Sequence, residues 1–158
     1  MKKGSSEIEI LTVSRDGEEK RMDEVIREQE VVVRIDREIH KFYCIPADLE
    51  AMIVGNLKSR GINPSFSKVR KIADNEYSVD LSFVKGLIKN PQKCESSKTL
   101  TNKEVFNSVE MLSEKGFLYK RTGCTHVVRI CGGREIFVED ISRHCAIDKA
   151  IGDVSDFL

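Results

Sequence analysis

Three pairs of β-branched and aromatic segments, each folded about a short polar or glycine turn, set the limits on what this chain can become. Residues 25–35 are rich in Val and Ile, and Asp36-Arg37 separates them from the run 39–45, the pattern of two strands of a hairpin. Residues 69–73 and 77–84 flank Asp74-Asn75, whose side chains tolerate turn geometry. Residues 125–131 and 135–138 flank Gly132-Gly133, a third hairpin signal.

Helical segments lie between and after these pairs. Leu49, Ile53, Val54 and Leu57 recur at helical spacing after Pro46-Ala47-Asp48, and Gly61 and Pro64 close the segment. Thr101-Asn102-Lys103-Glu104 is a capping box ahead of Val105, Val109 and Leu112, with an end expected at Gly116. Ser142 can cap a last helix that carries Ala146, Ile147, Ala150 and Ile151 and is closed by Gly152. Hairpins alternating with helices predict an α/β (α+β) fold, a mixed β-sheet with flanking helices.

The chain's 158 residues suit one core, so residues 1–24 are expected to be an arm or edge strand and residues 25–158 a single domain. The 26 Lys and Arg balance 26 Asp and Glu, so no global field recruits nucleic acid or an anionic membrane, and any anion must be held locally. No apolar run approaches the roughly 20 residues of a membrane-spanning helix. Glu7 and Glu9 follow the basic start where a secretory signal would need an apolar stretch, which predicts a cytoplasmic address.

Five cysteines, Cys44, Cys94, Cys124, Cys131 and Cys145, show no C-x-x-C spacing, and reduced thiols are expected. Cys44 and Cys131 fall in strands and Cys145 in a helix, where a small buried hydrophobe is the plain reading. Residues 85–98 have loop composition and hold Cys94 between Lys93 and Lys98; basic neighbours would favour its thiolate.

Two segments concentrate reactive residue types. They are Arg121-Thr122-Gly123-Cys124-Thr125-His126 and the run from Glu139 to Lys149, which contains Asp140, Ser142, Arg143, His144, Cys145 and Asp148. A Thr-Gly turn feeding a strand, next to a Ser-Arg-His helix start, offers backbone N–H groups and cations to an anion such as phosphate. A capped helix with a surface ion-pair network of Asp140, Arg143, Asp148 and Lys149 is the alternative that the same residues allow. His126 and His144 near Cys124 and Cys145 do not have structural zinc spacing, so no metal site is expected.

The C-terminal third resembles the signature of the FdhD family, a T-G-[GC]-x-H turn followed by E-D-[VI]-G-R-H-x-x-x-D-K-x-x-G. The matching residues are Thr122, Gly123, Cys124, Thr125 and His126, then Glu139, Asp140, Ile141, Arg143, His144, Asp148, Lys149 and Gly152. Upstream, Cys44, Pro46, Asp48, Leu49, Glu50, Gly55, Gly61 and Ile62 resemble the family's C-T-P-x-D-L-E-x-L-x-x-G-F-L-x-x-E-G-I stretch.

This resemblance implies a cytidine-deaminase-like core, usually a homodimer. The implied role is a sulfurtransferase-type sulfur carrier, which takes persulfide sulfur from a cysteine desulfurase and delivers it to the molybdenum cofactor, a molybdopterin guanine dinucleotide, during maturation of formate dehydrogenase. It places the persulfide on Cys94, and Thr122, Gly123, Cys124, His126, Asp140, Arg143, His144, Asp148 and Lys149 about the molybdopterin nucleotide. Ser97 stands where the family's loop carries its second cysteine, Ser142 replaces the Gly before Arg-His, and the chain is expected to lack the family's C-terminal extension. A non-catalytic module that binds the molybdopterin nucleotide or formate dehydrogenase, with sulfur transfer lost, is the other reading. Zinc-dependent deamination is set aside, because no H-x-E accompanies a P-C-x-x-C.

Overall fold

The computed structural model describes residues 4–62, 64, 68–81, 101–130 and 135–155. The elements run β1 (Ser5–Ser14), β2 (Gly17–Ile26), β3 (Gln29–Ile35), β4 (Glu38–Cys44), α1 (Leu49–Ser59), β5 (Val69–Ala73), β6 (Glu76–Val79), α2 (Asn102–Lys115), α3 (Phe117–Thr122), β7 (His126–Ile130), β8 (Ile136–Asp140) and α4 (Arg143–Ser155). Among the described residues the strands form three sheets: β1-β2, a four-stranded β4-β3-β6-β5, and β7-β8.

The central sheet is mixed, as the sequence pattern requires. β3 pairs antiparallel with β4 and parallel with β6, and β5 pairs antiparallel with β6. Asp36 and Asn75 sit at the two hairpin turns with φ of 52° and 59°, the left-handed region that short polar side chains tolerate. The Asn75 amide also donates to Gln29 Oε1 at 2.8 Å, tying the β5–β6 turn to the start of β3. Alternation along β3 sends Val31, Val33 and Ile35 inward, onto α1.

α1 supplies the other half of that core. Leu49, Met52, Ile53, Val54 and Leu57 are buried with Val69, Tyr77, Val79, Cys44 and Cys145. The helix ends where Gly61, at φ 80°, lets the chain turn back, with Gly61 N–H and Ile62 N–H donating to the carbonyls of Lys58 and Leu57. Its outer side packs along α4, which in turn covers β7 and β8. Ile136, Val138 and Ala150 form a second, smaller core there.

The N-terminal segment forms a two-stranded sheet of its own. Residues 5–26 make a hairpin of two ten-residue strands whose register closes at Ser14↔Gly17, and the Asp16 N–H donates to Ser14 Oγ inside the turn. Its base is pinned: the Arg27 N–H donates to the Gly4 carbonyl at 2.8 Å, and Glu24 accepts from Ser5 Oγ and pairs with Arg121. The expected strand over residues 77–84 stops as β6 at Val79, and the 85–98 loop and the Gly132-Gly133 turn lie outside the described residues.

Gly152 does not close the last helix, since α4 continues to Ser155. Its role is close approach. A Cβ at Gly152 would stand 1.9 Å from the Ala51 carbonyl oxygen, and one at Gly55 would stand 1.8 Å from that of Asp148. The two helices therefore cross backbone against backbone.

Candidate functional site

The two reactive segments meet at one end of the β7–β8 hairpin. His126 opens β7 and stands opposite Asp140, which closes β8, so the turn that enters β7 and the turn that leaves β8 are neighbours.

The entering turn is built by α3. Thr122 is its last residue and donates through Oγ1 to the Leu118 carbonyl at 2.8 Å. Gly123 follows at φ 67°, the left-handed cap that glycine adopts without strain. Thr122 Oγ1 also accepts from the Cys124 N–H, and the Cys124 thiol donates to the Thr122 carbonyl at 3.1 Å, which leaves Cys124 exposed on the turn. Thr125 is buried and donates to Glu139 Oε1 at 3.2 Å. The Glu139 carboxylate accepts in addition from the backbone N–H groups of Leu118 and Tyr119, at 2.9 and 2.8 Å. One β8 carboxylate thus fixes the N-terminal end of the short helix and the residue that follows the turn.

The leaving turn rests on a buried ion pair. Lys149 and Asp140 have side chains 1% and 0% exposed, with Nζ 2.5 Å from Oδ2. Lys149 Nζ also donates to the Ile45 carbonyl at 2.8 Å, while Asp140 Oδ1 accepts from the Ile45 N–H at 3.4 Å and from the Ser142 N–H at 2.9 Å. The pair therefore satisfies both backbone groups of Ile45, just beyond β4, and clamps the central sheet to the start of α4. A buried pair holds best when its remaining donors and acceptors are met, and these contacts give each side chain a partner beyond the pair. The surface ion-pair network that the sequence also allowed does not form between these two residues, because the fold turns both side chains inward.

Ser142 caps α4 as expected: its carbonyl accepts from the Ala146 N–H and its Oγ from the Cys145 N–H. Arg143 and His144 stand exposed on the first turn. Asp148 is buried against α1, where Asn56 Nδ2 donates to Oδ2 at 2.9 Å. Thr122, Gly123, Cys124, His126, Arg143 and His144 thus share one accessible end of the molecule, while Asp140, Asp148 and Lys149 lie beneath it.

A cavity of about 380 Å³ opens beside this end, lined by Val109, Leu112, Ser113, Tyr119, Thr125, His126 and Val127. The α2 residues of its wall were read in the sequence as a helix face only. That α2 leaves this face free for a cavity, with no buried residue of its own, depends on where β7 lies and has no local signal.

Cys44 and Cys145 also meet, although each was read alone as a packing residue. Both belong to one buried core cluster, Cys44 at the end of β4 and Cys145 in the first turn of α4. The Cys145 thiol also reaches the Tyr43 carbonyl at 3.9 Å. The neighbouring Cys44 draws the Cys145 thiol down to about 7, helped by Ser142 and opposed by burial. Cys44 is pushed the other way, by Cys145 and by burial. Cys94, Ser97 and Cys131 lie outside the described residues. Among the described residues no group of three His, Cys, Asp or Glu side chains is placed to hold a metal ion, and no helix is long and apolar enough to cross a membrane.

Comparison with known proteins agrees with this architecture. A solved structure described as a formate dehydrogenase accessory protein, from Desulfotalea psychrophila, superposes with a TM-score of 0.69 over 96% of this chain and 69% of its own, at 21% identity, a likeness of fold. The sulfur carrier protein FdhD of Halalkalibacterium halodurans is 25% identical over 90% of this chain, and that of Methanothermobacter thermautotrophicus 25% identical over 87%. The alignments cover 66% and 64% of those relatives, so the chain spans a little under two thirds of their length. The model of the FdhD/NarQ family matches residues 78–156, the half that holds both turns of the site, and the chain belongs to the FdhD/NarQ family.

Proposed function

We propose that this protein is a sulfur carrier, which accepts sulfane sulfur from a cysteine desulfurase and delivers it to the molybdenum cofactor during maturation of formate dehydrogenase. The observation that carries the reading is the meeting of the Thr122–His126 turn with the Ser142-Arg143-His144 helix start, in a chain of the FdhD/NarQ family. Two exposed imidazoles and a guanidinium at one end suit an anionic pterin nucleotide. Arg143 and His144 make the cationic contacts, Thr122, Gly123, Cys124 and His126 form the facing wall, and Asp140, Asp148 and Lys149 hold that wall in place. A homodimer in the cytoplasm is part of the same reading.

Cys94 is the sulfur site. Its thiolate attacks the outer sulfur of the desulfurase persulfide; a new S–S bond forms on Cys94 as the old one breaks, and the desulfurase cysteine leaves as thiolate. Ser97 cannot exchange sulfur, so the carrier works with one loop cysteine. That same serine favours a second reading, in which the site binds the molybdopterin nucleotide or formate dehydrogenase without sulfur transfer.

Intact-mass measurement after incubation with a cysteine desulfurase and cysteine separates the two. A carrier shows a one-sulfur adduct that disappears in Cys94→Ala. If wild type takes up no sulfur from a competent desulfurase, the carrier reading is wrong and the binding module stands. Arg143→Ala weakens nucleotide binding under both.

A further inference from the structure

α2 is a fourteen-residue helix, closed by its own capping box, with no buried residue. Its apolar side chains stand in solvent: Phe106 is 69% exposed, Val109 57% and Val105 45%. A helix of this length gains most of its stability from packing an apolar face, and a contiguous apolar face left open marks an interaction surface.

The face carries both a projection and a recess. Val109, Leu112 and Ser113 belong to the wall of the cavity of about 380 Å³, beside Thr125 and His126. Phe106 stands one turn before Val109, and the Leu112–Ser113 wall stands one turn after it. Charge is arranged along the same helix: Lys103, Glu110 and Glu114 recur at intervals that place them on one flank of the face, basic at the start and acidic at the end. That order complements itself only when reversed.

We propose that α2 is the contact of a homodimer, in which two copies of the helix pack antiparallel about a two-fold axis at Val109 and each Phe106 enters the other copy's cavity. Such an axis exchanges position 106 with 112 and 105 with 113, so the phenyl ring of one copy meets Leu112 and Ser113 of the other. A cavity of roughly 150 Å³ takes up a benzene molecule, and this one is more than twice that size. The axis also brings Lys103 of one copy within one residue of Glu114 of the other, whereas a parallel pair would set Lys103 against Lys103 and leave both cavities empty. Phe106 then lies against the Thr125–His126 wall across the interface, so each copy completes a surface beside the other's site. The inference gives a face to the homodimer named above and rests on that part of the reading, not on sulfur transfer.

Sedimentation velocity of the full chain over a concentration series tests it. Wild type should sediment as a dimer. Phe106→Glu should raise the dimer dissociation constant about thirtyfold or more, the scale of an interface hot spot, with the far-ultraviolet circular dichroism unchanged because the ring is largely exposed in its own chain. Lys103→Glu should weaken the dimer about fivefold, and Lys103→Glu combined with Glu114→Lys should restore it. A dimer that Phe106→Glu leaves intact overturns this interface while the homodimer stands. A wild type that stays monomeric overturns both and leaves the face to a different protein. Sulfur loading on Cys94 is read separately by mass and is touched by neither outcome.

Discussion

Gly55 of α1 and Gly152 of α4 face each other where the two helices cross, each so close to the opposite backbone that a Cβ at either would stand far inside van der Waals contact with a carbonyl oxygen. No rotamer relieves such a clash, because the obstacle is main chain. Gly152→Ala and Gly55→Ala should each force the helices apart and cost about 1–3 kcal/mol or more by overpacking, measured as a lower denaturation midpoint. A neutral result at both positions would mean that the crossing is looser than described.

Lys149→Met tests the clamp. It leaves Asp140 without its cation and takes from the Ile45 carbonyl one of its two donors, the Ala47 N–H remaining, in a place water does not reach. Breaking one member of a buried pair typically costs about 3–5 kcal/mol, enough to unfold a marginal domain. Urea titration should show the loss, and adding Asp140→Asn should recover part of it. An Asp140→Asn, Lys149→Met double variant as unstable as the sum of the single ones would argue that the charges do not act as a pair.

Asp148 gives the stability a pH dependence of known sign. Burial holds its carboxyl above the ordinary value, against the opposing Asn56 hydrogen bond and the His144 charge. An acid raised in the folded state binds its proton more tightly there, so the stability it lends is present below about 3.9, the usual aspartate value, and is lost as pH rises through the folded value. Asp148→Asn should therefore raise the melting temperature at neutral pH, and the gain should fade in acid, where the native carboxyl is protonated as well. A gain equal at all pH values would point to packing instead.

Cys145 behaves in the opposite sense. Its thiol is lowered to about 7 by Cys44 and Ser142, so its contribution is present above the ordinary thiol value and is lost as pH falls through about 7. The ultraviolet thiolate band, taken as the difference between wild type and Cys145→Ala, should titrate near neutrality. In Cys44→Ala the midpoint should move up, since that neighbour is gone. An unmoved midpoint would assign the effect to the helix start alone.

Arg121 anchors the N-terminal hairpin through Glu24 and stacks on the Phe117 ring at 5.0 Å. Arg121→Ala should loosen the hairpin with little effect on the rest. Faster hydrogen exchange confined to β1 and β2 is the expected result, and exchange rising throughout the chain would contradict it.

Local chemistry was legible in the sequence, and long-range contact was not. The Thr101–Glu104 capping box, the Ser142 cap and the Leu49, Ile53, Val54 and Leu57 face are all where the pattern places them, because each is settled within a turn or two of helix. Residues 5–26 were underread: Asp16-Gly17 is a hairpin signal, but the run of charges from Glu18 to Glu24 hides the alternation of a strand that buries little. Gly152 looked like a stop because a helix-ending glycine and a helix-crossing glycine have the same local setting. The fates of Asp140 and Lys149, and the meeting of Cys44 with Cys145, depend on tertiary packing across as much as a hundred residues. The likeness of the two turns to a family signature pointed to the family, and the match of the FdhD/NarQ model bears that out.

The N-terminal hairpin also sets how the protein should behave in a concentrated solution. Its two strands are paired only with each other among the described residues, and Ile8, Leu11, Val13 and Met22 stand exposed along them. Open edges of this kind invite pairing with neighbouring molecules, and here Glu7 and Glu9 on β1 and the charged side chains between Glu18 and Glu24 on β2 are the guard. Such protection relies on charge, so salt removes it: at about 1 M the screening length falls to roughly 3 Å, and strand-to-strand association should then set the limit of solubility.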